Sequence, residues 1–299
     1  MNHEIRIAAN AKINIGLSVG EPLPDGYHPI VSIFQAVSLN DELGMKLGSK
    51  TGDVKIAGAF DCLPEKTTVY KAARLFLDEL GESRSVDIEV EKRIPARAGM
   101  GGGSSDAAAV LAGLNHLYGN PLDEAQLTSL GKKIGADVTY FILGKGTAMV
   151  SGIGDIVVPI PTRTDFGIVI VLPEMGISTP WAYNRLDQIR RYTNLGISPD
   201  HFLEAKFKMR KRYYEALTNW DFVNDFHEIA LADFPNLMEI AKALKAEGAI
   251  LVSLTGSGSG IFGIFESDLI AEQVAASLKL PKTKGIMTLK PLETTLELG

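Results

Sequence analysis

Hydrophobic residues recur along this chain at the two spacings that distinguish strands from helices. Between residues 86 and 91, apolar and acidic side chains alternate, which predicts a strand with one face on a core and one in water. Upstream, apolar side chains at helical spacing predict a helix that begins at Thr67 or Thr68 and ends at Gly81. The apolar face of this helix consists of Val69, Ala72, Ala73, Phe76 and Leu80.

Two further helices follow that strand. The first is predicted to begin at Ser104 or Ser105 and to end where Gly119 interrupts the apolar pattern. The second begins at Asp123, which has a glutamine three residues later at capping-box spacing, and it stops at Gly135. The N-terminal half is therefore expected to mix strands and helices.

The second half of the chain has a different pattern of apolar and charged residues. An aliphatic strand at 168–172 precedes a long helical stretch of mixed charge, which places a domain boundary between 162 and 165. The C-terminal region is then predicted to contain a helix, two strands, a helix and a last strand, with the strands at 249–254, 261–265 and 285–289. Strands flanked by helices on one side indicate an α+β layer. We expect an α+β protein with two domains, residues 1–163 and 164–299.

Composition and charge narrow the class of protein. The chain has 299 residues, 45% of them apolar and 22% charged, as in an ordinary globular protein with room for two cores. Its 30 Lys and Arg against 36 Asp and Glu leave a net charge of −6, which argues against a nucleic-acid partner. Cys62 is the single cysteine, so no internal disulfide can form.

Two features bear on location. Residues 1–4 lack the basic and then apolar layout of a signal peptide. The longest aliphatic block, Ile168 to Leu172, is far shorter than the roughly 20 residues that cross a bilayer. We expect a cytoplasmic protein with no membrane partner.

The most distinctive segment is a glycine-rich run that joins the strand at 86–91 to the next helix. Residues 99–103 contain four glycines, so this backbone can turn sharply and approach a ligand closely. Amides freed at a helix N-terminus bind anions, which predicts a cradle for the phosphates of a nucleotide. The spacing matches neither GxxxxGK[ST] nor a complete GxGxxG. A flexible loop or a tight entry into the helix is the alternative that the residues leave open.

Other segments are ambiguous on their residues alone. Lys12 lies in an apolar strand-like segment, where a lone lysine usually extends along the surface to water. Asp137 follows Gly135 and is explained as well by a helix or turn cap as by a catalytic role. Residues 25–29 have the composition of a turn. The basic run between 206 and 212 is typical of a solvated helix face.

The glycine-rich run also resembles the phosphate loop of the GHMP kinase superfamily, whose members phosphorylate small molecules. The matching stretch extends from Pro95 to Ala108 and includes Gly99-Met100-Gly101-Gly102-Gly103-Ser104-Ser105-Asp106. The other matching segments are Ala11-Lys12-Ile13-Asn14, Asp25-Gly26-Tyr27-His28, Gly135-Ala136-Asp137-Val138 and Leu254-Thr255-Gly256-Ser257-Gly258. The resemblance thus covers the chain from end to end.

The resemblance implies an ATP-dependent kinase with an alcohol acceptor and the two-domain GHMP kinase fold. That fold has an N-terminal domain of the ribosomal-protein-S5-like type and a C-terminal ferredoxin-like domain, with the active site in the cleft between them. Mg²⁺ is implied as the metal that accompanies ATP, and its ligands stay open, with Ser105 and Asp106 as positions to consider. The implied nucleotide-binding residues are Pro95, Gly99, Gly101, Gly102, Gly103, Ser104 and Ser105.

Carried onto this chain, the catalytic pair of the family is Lys12 and Asp137. Asp137 would accept the proton of the acceptor hydroxyl as its oxygen attacks the γ-phosphorus of ATP. The ammonium of Lys12 would keep that carboxylate ionised and offset charge on the transferring group.

The segment with Tyr27 and His28 implies a small-molecule substrate that carries a cytidyl diphosphate group. In the family members that it resembles, the tyrosine stacks on the cytosine and the histidine hydrogen-bonds its edge. Tyr183 is the candidate for the opposite aromatic face. Further substrate contacts are implied for Asn14, Thr179 and Gly256. The implied reaction phosphorylates the 2-hydroxyl of this substrate in the non-mevalonate route to isoprenoid precursors.

Two alternatives stay open at this point. A GHMP kinase for another small alcohol, of the homoserine or mevalonate type, would share Lys12, the glycine loop and Asp137 without needing the cytosine-binding residues. A non-catalytic nucleotide-binding relative would be expected to have lost the lysine or the acid. Thr67 and Thr139 replace an asparagine and a proline that many relatives have. We expect a monomer or a weak homodimer.

Overall fold

The computed structural model describes residues 3–49, 51–193 and 199–299. The strands are β1 (Glu4–Val19), β2 (Ile30–Leu47), β3 (Val54–Gly58), β4 (Val86–Glu91), β5 (Thr147–Ser151), β6 (Ile156–Pro159), β7 (Gly167–Pro173), β8 (Leu251–Leu254), β9 (Ile261–Phe265), β10 (Thr283–Leu289) and β11 (Leu296–Leu298). The helices are α1 (Thr68–Leu80), α2 (Gly102–Leu117), α3 (Glu124–Ile134), α4 (Val138–Ile142), α5 (Thr179–Thr193), α6 (Pro199–Tyr213), α7 (His227–Asp233), α8 (Pro235–Ala246) and α9 (Asp268–Ser277).

These strands form two largely antiparallel sheets, in which neighbouring strands are often not consecutive along the chain. The first has the order β11-β1-β2-β4-β3, and β5 pairs with β2 and with β6. The second has the order β10-β7-β9-β8. Only the pair β3 and β4 is parallel among the described strands. The α+β class is therefore confirmed.

The predicted boundary at residues 163 and 164 falls between the two sheets. β6 of the first sheet ends at Pro159, and β7 of the second begins at Gly167. The last strand, β11, returns to the first sheet and pairs with β1. The division into residues 1–163 and 164–299 stays a prediction.

Strand β1 carries site residues because both of its faces are buried. Ala11, Ile13 and Ile15 join an apolar core that includes residues of β7 and β9. Side chains alternate between the faces of a strand, so Lys12 and Asn14 point the opposite way, into a second buried environment. A register shift between Asn10 and Ala11 interrupts the pairing of β1 with β2 just before this stretch.

Helix α2 lies at the centre of the apolar core beside the first sheet. Its residues from Ser105 to Leu111 are all buried, which fits a helix that is apolar on every side. It packs against α1, α3 and α4 and against β1 and β2. The glycine-rich run therefore ends on a helix that its surroundings hold firmly.

The predicted helix termini agree with the structure in two cases. Thr67 caps α1 by accepting a hydrogen bond from the amide of Tyr70, and Gly81 ends the helix in the left-handed conformation at φ 65°. Asp123 and Gln126 form the predicted reciprocal capping box of α3. The strand at 86–91 is confirmed as β4.

The predicted start of α2 at Ser104 or Ser105 is wrong. The helix begins at Gly102, because Gly101 is its N-cap residue in the left-handed conformation at φ 75°. The carbonyl of Gly101 accepts hydrogen bonds from the amides of both Ser104 and Ser105, so the first turn is already closed there. The glycine-rich run thus supplies the first turn of the helix as well as the loop before it.

Within the described ranges, no helix combines the length and the apolar character that a membrane-spanning segment needs.

Candidate active site

Most of the predicted site residues meet around one cavity of about 260 Å³ between the two sheets. Its lining includes Lys12, Asn14, Gly99, Gly101, Asp137, Thr179, Tyr183 and Gly256. A neighbouring cavity of about 330 Å³ shares Gly99 and Gly101 with it and is lined further by Pro95, Gly102 and Gly103. Two adjoining cavities that share a glycine loop are the arrangement that a two-substrate site needs.

Lys12 is buried at the bottom of the first cavity, with 4% of its side chain exposed. Its Nζ donates hydrogen bonds to Oδ1 of Asn14, at 2.5 Å, and to the carbonyl of Gly99, at 2.8 Å. The same ammonium lies 4.8 Å from the centre of the Phe34 ring, which is cation–π distance. Burial lowers the pKa of Lys12, and the charge of Asp137 partly opposes that shift. The interpretation of Lys12 as a water-exposed edge residue is therefore wrong.

Asp137 lies across the cavity from Lys12, just before α4. Its Oδ2 is 4.0 Å from Nζ of Lys12, and 31% of its side chain is exposed. This separation is too long for a hydrogen bond, so the carboxylate keeps its accepting capacity. Asp137 occupies the N-cap position of α4, but its side chain makes no capping hydrogen bond there.

The glycine loop is fixed by close contacts that only glycine allows. Gly99 has φ 74°, and a Cβ atom there would lie 1.9 Å from the carbonyl oxygen of Thr255. Gly101 has φ 75°, and a Cβ atom would lie 2.9 Å from the ring of Phe141 and 3.2 Å from the side chain of Lys12. The loop thus lies in close contact with the C-terminal glycine segment on one side and with Lys12 on the other.

The loop also presents backbone amides to the cavities. Gly102 and Gly103 are the first two residues of α2, so their amides have no carbonyl one turn earlier within the helix. α2 has sixteen residues, and its N-terminus carries the positive end of the helix dipole. Free amides on a helix N-terminus beside a buried ammonium make a site for an anionic group.

Ser105 and Asp106 each have protein partners, although Oδ1 of Asp106 is buried with no hydrogen-bond partner among the described residues. Oγ of Ser105 is buried and donates a hydrogen bond to the carbonyl of Asn10. Asp106 is paired with Lys92 at 2.7 Å, and Lys92 also contacts the carboxylate of Asp41. Burial raises the pKa of Asp106, and the charge of Lys92 opposes that shift. In the described ranges no group of three or more His, Cys, Asp or Glu side chains is placed to hold a metal ion.

Two of the residues predicted to contact the substrate, Tyr183 and Thr179, line the first cavity. Tyr183, on α5, packs its ring 4.9 Å from the ring of His28 and 4.9 Å from that of Phe226. Burial raises the pKa of Tyr183 to about 12, and the charge of Asp137 adds to the shift. Oγ1 of Thr179 is 3.1 Å from Oγ of Ser257.

Tyr27 and His28 differ from the other predicted residues in their position. Tyr27 lies in a turn and is 60% exposed. Within the described residues, its ring does not contact that of Tyr183. His28 is buried, and its Nε2 lies 2.9 Å from Oδ1 of Asp187. Neither residue lines the cavities, so the structure brings only His28 next to Tyr183.

Several site residues were not predicted. Thr255 donates a hydrogen bond from Oγ1 to the carbonyl of Gly99 at 3.0 Å. Asn224 donates from Nδ2 to the carbonyls of Leu254 and Gly256, at 2.9 Å each, and so holds the C-terminal glycine segment. Thr255 lay within a segment already singled out, whereas Asn224 belongs to no local pattern.

Comparisons with known proteins agree on the family. The family model for the GHMP kinases N terminal domain matches residues 67–145, and that for the GHMP kinases C terminal domain matches residues 219–281. The curated 4-diphosphocytidyl-2-C-methyl-D-erythritol kinase of Desulfitobacterium hafniense (strain Y51) is 32% identical over 92% of each chain. The kinase of the same name from Chlorobium chlorochromatii (strain CaD3) is 36% identical over 92% of each chain.

A solved structure gives the same result at the level of the fold. The crystal structure of a 4-(cytidine 5'-diphospho)-2C-methyl-D-erythritol kinase superposes with a TM-score of 0.77 at 32% identity, covering 98% of this chain and 99% of the other. The two-domain GHMP kinase fold expected from the sequence is therefore confirmed. The chain belongs to the 4-diphosphocytidyl-2-C-methyl-D-erythritol kinase family of the GHMP kinases.

Proposed function

We propose that the protein transfers the γ-phosphoryl group of ATP to the 2-hydroxyl of 4-diphosphocytidyl-2-C-methyl-D-erythritol, in the non-mevalonate route to isoprenoid precursors. The observation that carries this proposal is the meeting of Lys12, Asp137 and the glycine loop around one cavity. The curated relatives named for this reaction match the chain over 92% of their own length.

The catalytic step follows from the spacing of Lys12 and Asp137. The two groups are 4.0 Å apart and share no hydrogen bond, so a hydroxyl beside them can donate to Asp137 without breaking an existing bond. Asp137 takes the proton of the acceptor hydroxyl, and the hydroxyl oxygen forms a bond to the γ-phosphorus. The bond from that phosphorus to the bridging oxygen breaks, and ADP leaves with the oxygen.

Lys12 acts by position and charge in this step. Two of its three ammonium protons are donated to Asn14 and Gly99, which fixes the side chain. The third is free to reach an oxygen of the transferring phosphoryl group. Because this charge is buried, it stabilises the developing negative charge more than it would in water.

The glycine loop holds the nucleotide in this proposal. The amides of Gly102 and Gly103 bind phosphate oxygens at the N-terminus of α2, and Gly99 and Gly101 let the backbone come close enough to do so. The second cavity, which is continuous with this loop, takes the rest of ATP. Its wall contains Thr67 where many relatives have asparagine.

Mg²⁺ is part of the proposal only as the companion of ATP. Oγ of Ser105 is bonded to Asn10 and Oδ2 of Asp106 to Lys92, whereas Oδ1 of Asp106 has no hydrogen-bond partner among the described residues. Mg²⁺ usually keeps several waters and binds substrate phosphates with few protein ligands. We therefore assign no step of the reaction to this chain's own metal ligands.

On the substrate side, Tyr183 and His28 bind the cytosine, and Tyr27 covers its other face. Tyr183 lines the first cavity, and the imidazole of His28 packs beside its ring. Tyr27 is exposed in a turn, so it is available to close over a bound base. Asn14, Thr179 and Gly256 line the part of the cavity between the base and the catalytic pair.

We further propose that the enzyme acts in the cytoplasm, as a monomer or a weak homodimer, and that it has no nucleic-acid partner. The net charge of −6 is the basis for excluding a polyanion. Equilibrium sedimentation measures the oligomeric state directly.

A coupled assay for ADP release tests the proposed reaction. The panel consists of 4-diphosphocytidyl-2-C-methyl-D-erythritol, the same polyol without the cytidyl diphosphate group, homoserine and mevalonate. We expect ADP release only with the cytidyl compound. Release with homoserine or mevalonate instead would transfer the assignment to another GHMP kinase, and release with none would leave a nucleotide-binding relative.

A further inference from the structure

The imidazole of His28 is held by a carboxylate that the proposed reaction does not use. Nε2 of His28 lies 2.9 Å from Oδ1 of Asp187, on α5. Both side chains are largely shielded from water, with 6% and 17% exposed. Because the two groups are close and largely buried, the pair orients the imidazole ring. Ion pairs that are exposed to water, by contrast, contribute little to stability.

Helix α5 brings Asp187 to His28 together with Tyr183. The two residues are four positions apart, so they lie on one face of the helix. The Tyr183 ring packs on the imidazole at 4.9 Å while the Asp187 carboxylate bonds its edge. One helix therefore fixes both the plane and the rotation of the imidazole.

The carboxylate also decides which ring nitrogen carries the proton. An ionised carboxylate only accepts hydrogen bonds, so Nε2 must be the donor. In the neutral imidazole Nδ1 is then an acceptor. Within the part of the chain that the structure describes, Nδ1 of His28 has no hydrogen-bond partner. A free, oriented acceptor beside an aromatic face suits a ligand that offers an amino group.

We propose that Asp187 is a positioning residue that makes this site select cytosine over uracil. It does so by holding His28 in the tautomer whose Nδ1 accepts a hydrogen bond from the 4-amino group of the base. This inference rests on the proposed function, because it needs a substrate with a pyrimidine base. Asp187 itself does not touch the substrate.

The selectivity follows from what uracil presents at the same position. Uracil has a carbonyl oxygen where cytosine has the amino group, so it would place an acceptor against the acceptor Nδ1. A site built to bond one polar group discriminates strongly against a ligand that leaves that group unpaired. The opposite tautomer, with the proton on Nδ1, would favour uracil instead.

The test compares two substrates in three proteins. The substrates are the cytidyl and the uridyl diphosphate esters of 2-C-methyl-D-erythritol, and the proteins are the wild type, Asp187→Asn and Arg185→Gln. Asparagine keeps the shape of Asp187 but can donate as well as accept, so it releases the choice of tautomer. Arg185→Gln removes another ion pair of α5, to Asp233, that has no contact with His28, and it controls for loosening of the helix.

We expect Asp187→Asn to reduce the preference for the cytidyl over the uridyl ester, in kcat/KM, about tenfold. The loss should come mainly from a raised KM for the cytidyl ester, with the KM for ATP unchanged within about twofold. Asp187→Glu, which keeps a carboxylate, should retain more of the preference than Asp187→Asn. Arg185→Gln should keep the preference of the wild type.

A ¹⁵N spectrum of labelled histidines gives a readout that does not depend on activity. The signal of His28, assigned by its loss in His28→Ala, should show the Nε2-protonated tautomer in the wild type and a mixture in Asp187→Asn. The inference is overturned by an unchanged base preference in a folded Asp187→Asn protein, or by an Nδ1-protonated or doubly protonated His28 in the wild type. If the wild type phosphorylates neither ester, the proposed function is wrong and this inference falls with it.

Discussion

The two ends of the proposed active site, the phosphate end at the glycine loop and the base end at Tyr183 and His28, are built by different means. At the phosphate end, backbone atoms of a continuous segment line the site, and Gly99 and Gly101 are pressed against Thr255 and Phe141. At the base end, the site is made of side chains, because Tyr183 and Asp187 of α5 each contact the imidazole of His28, which lies before β2.

The two ends also differ in how far they are formed before a ligand binds. The phosphate end is anchored on α2, which is buried along most of its length. The base end has one face in place, at Tyr183, whereas Tyr27 stands 60% exposed in its turn. We infer that the phosphate end provides a rigid frame for the chemistry and that the base end closes on the substrate. Substitutions at the two ends should therefore affect different kinetic constants.

The largest effect is expected where the two ends meet, at Asp137. Asp137→Asn removes the carboxylate that we propose takes the proton of the acceptor hydroxyl, so kcat should fall by roughly 10²–10⁴-fold. The KM values should change little, because the residue keeps its shape. Steady-state kinetics with saturating ATP measure the change.

The matched control for Asp137→Asn is Asp155→Asn. Asp155 has a similar exposure, 28% against 31%, and is paired with Lys132 at the protein surface. Its loss should leave kcat at the value of the wild type. Near-normal turnover of Asp137→Asn would contradict the assignment of a base, whereas a large loss also fits an electrostatic role, since phosphoryl transfer depends strongly on positioning.

The next largest effect is expected at the phosphate end. Gly101→Val places a side chain in a left-handed conformation and against the Phe141 ring, so ATP binding should weaken by up to roughly a hundredfold. Isothermal titration calorimetry with ATP measures it. Gly119→Val is the control, because Gly119 has a similar φ of 80° with open space around it. Equal affinities in both variants would remove the loop from the nucleotide site.

The same contrast explains what could be predicted from the sequence. The phosphate end depends on backbone conformation, which leaves a run of glycines at fixed spacing, and residues 99–103 were found from that run alone. Lys12 and Asp137 have no such local pattern, because one lies on β1 and the other just before α4, and they come close only in the folded chain. Only the resemblance to the family pointed to them.

The base end was the least predictable part of the site. Asp187 lies 159 positions from His28 along the chain, and no period or spacing connects them. A possible signal was the four-residue spacing from Tyr183 to Asp187 on a predicted helix, but that spacing is common on any helix face. The start of α2 was missed for a different reason: glycine is a poor helix former, and here the surrounding core compensates for it.

A smaller and more selective effect is expected at His28. His28→Ala removes the hydrogen-bonding edge at the base end, so the KM for the cytidyl substrate should rise about tenfold. The KM for ATP should stay close to that of the wild type, because the phosphate end is anchored separately. His116→Ala, at an exposed position near the end of α2, is the control. Equal rises in both KM values would show that the two ends are not independent.

The smallest effect is expected at Thr67, on the wall of the nucleotide cavity. Its Oγ1 accepts a hydrogen bond from the amide of Tyr70 and caps α1, so Thr67→Ala should lower the free energy of unfolding by about 1 kcal/mol in urea denaturation. Thr67→Asn supplies the side chain that many relatives have and keeps a capping oxygen, so its stability should stay near that of the wild type. Because the phosphate end depends on α2 and not on this cap, ATP affinity should change little in either variant. A marked loss of ATP affinity in Thr67→Ala alone would mean that α1, as well as α2, holds the nucleotide-binding loop in place.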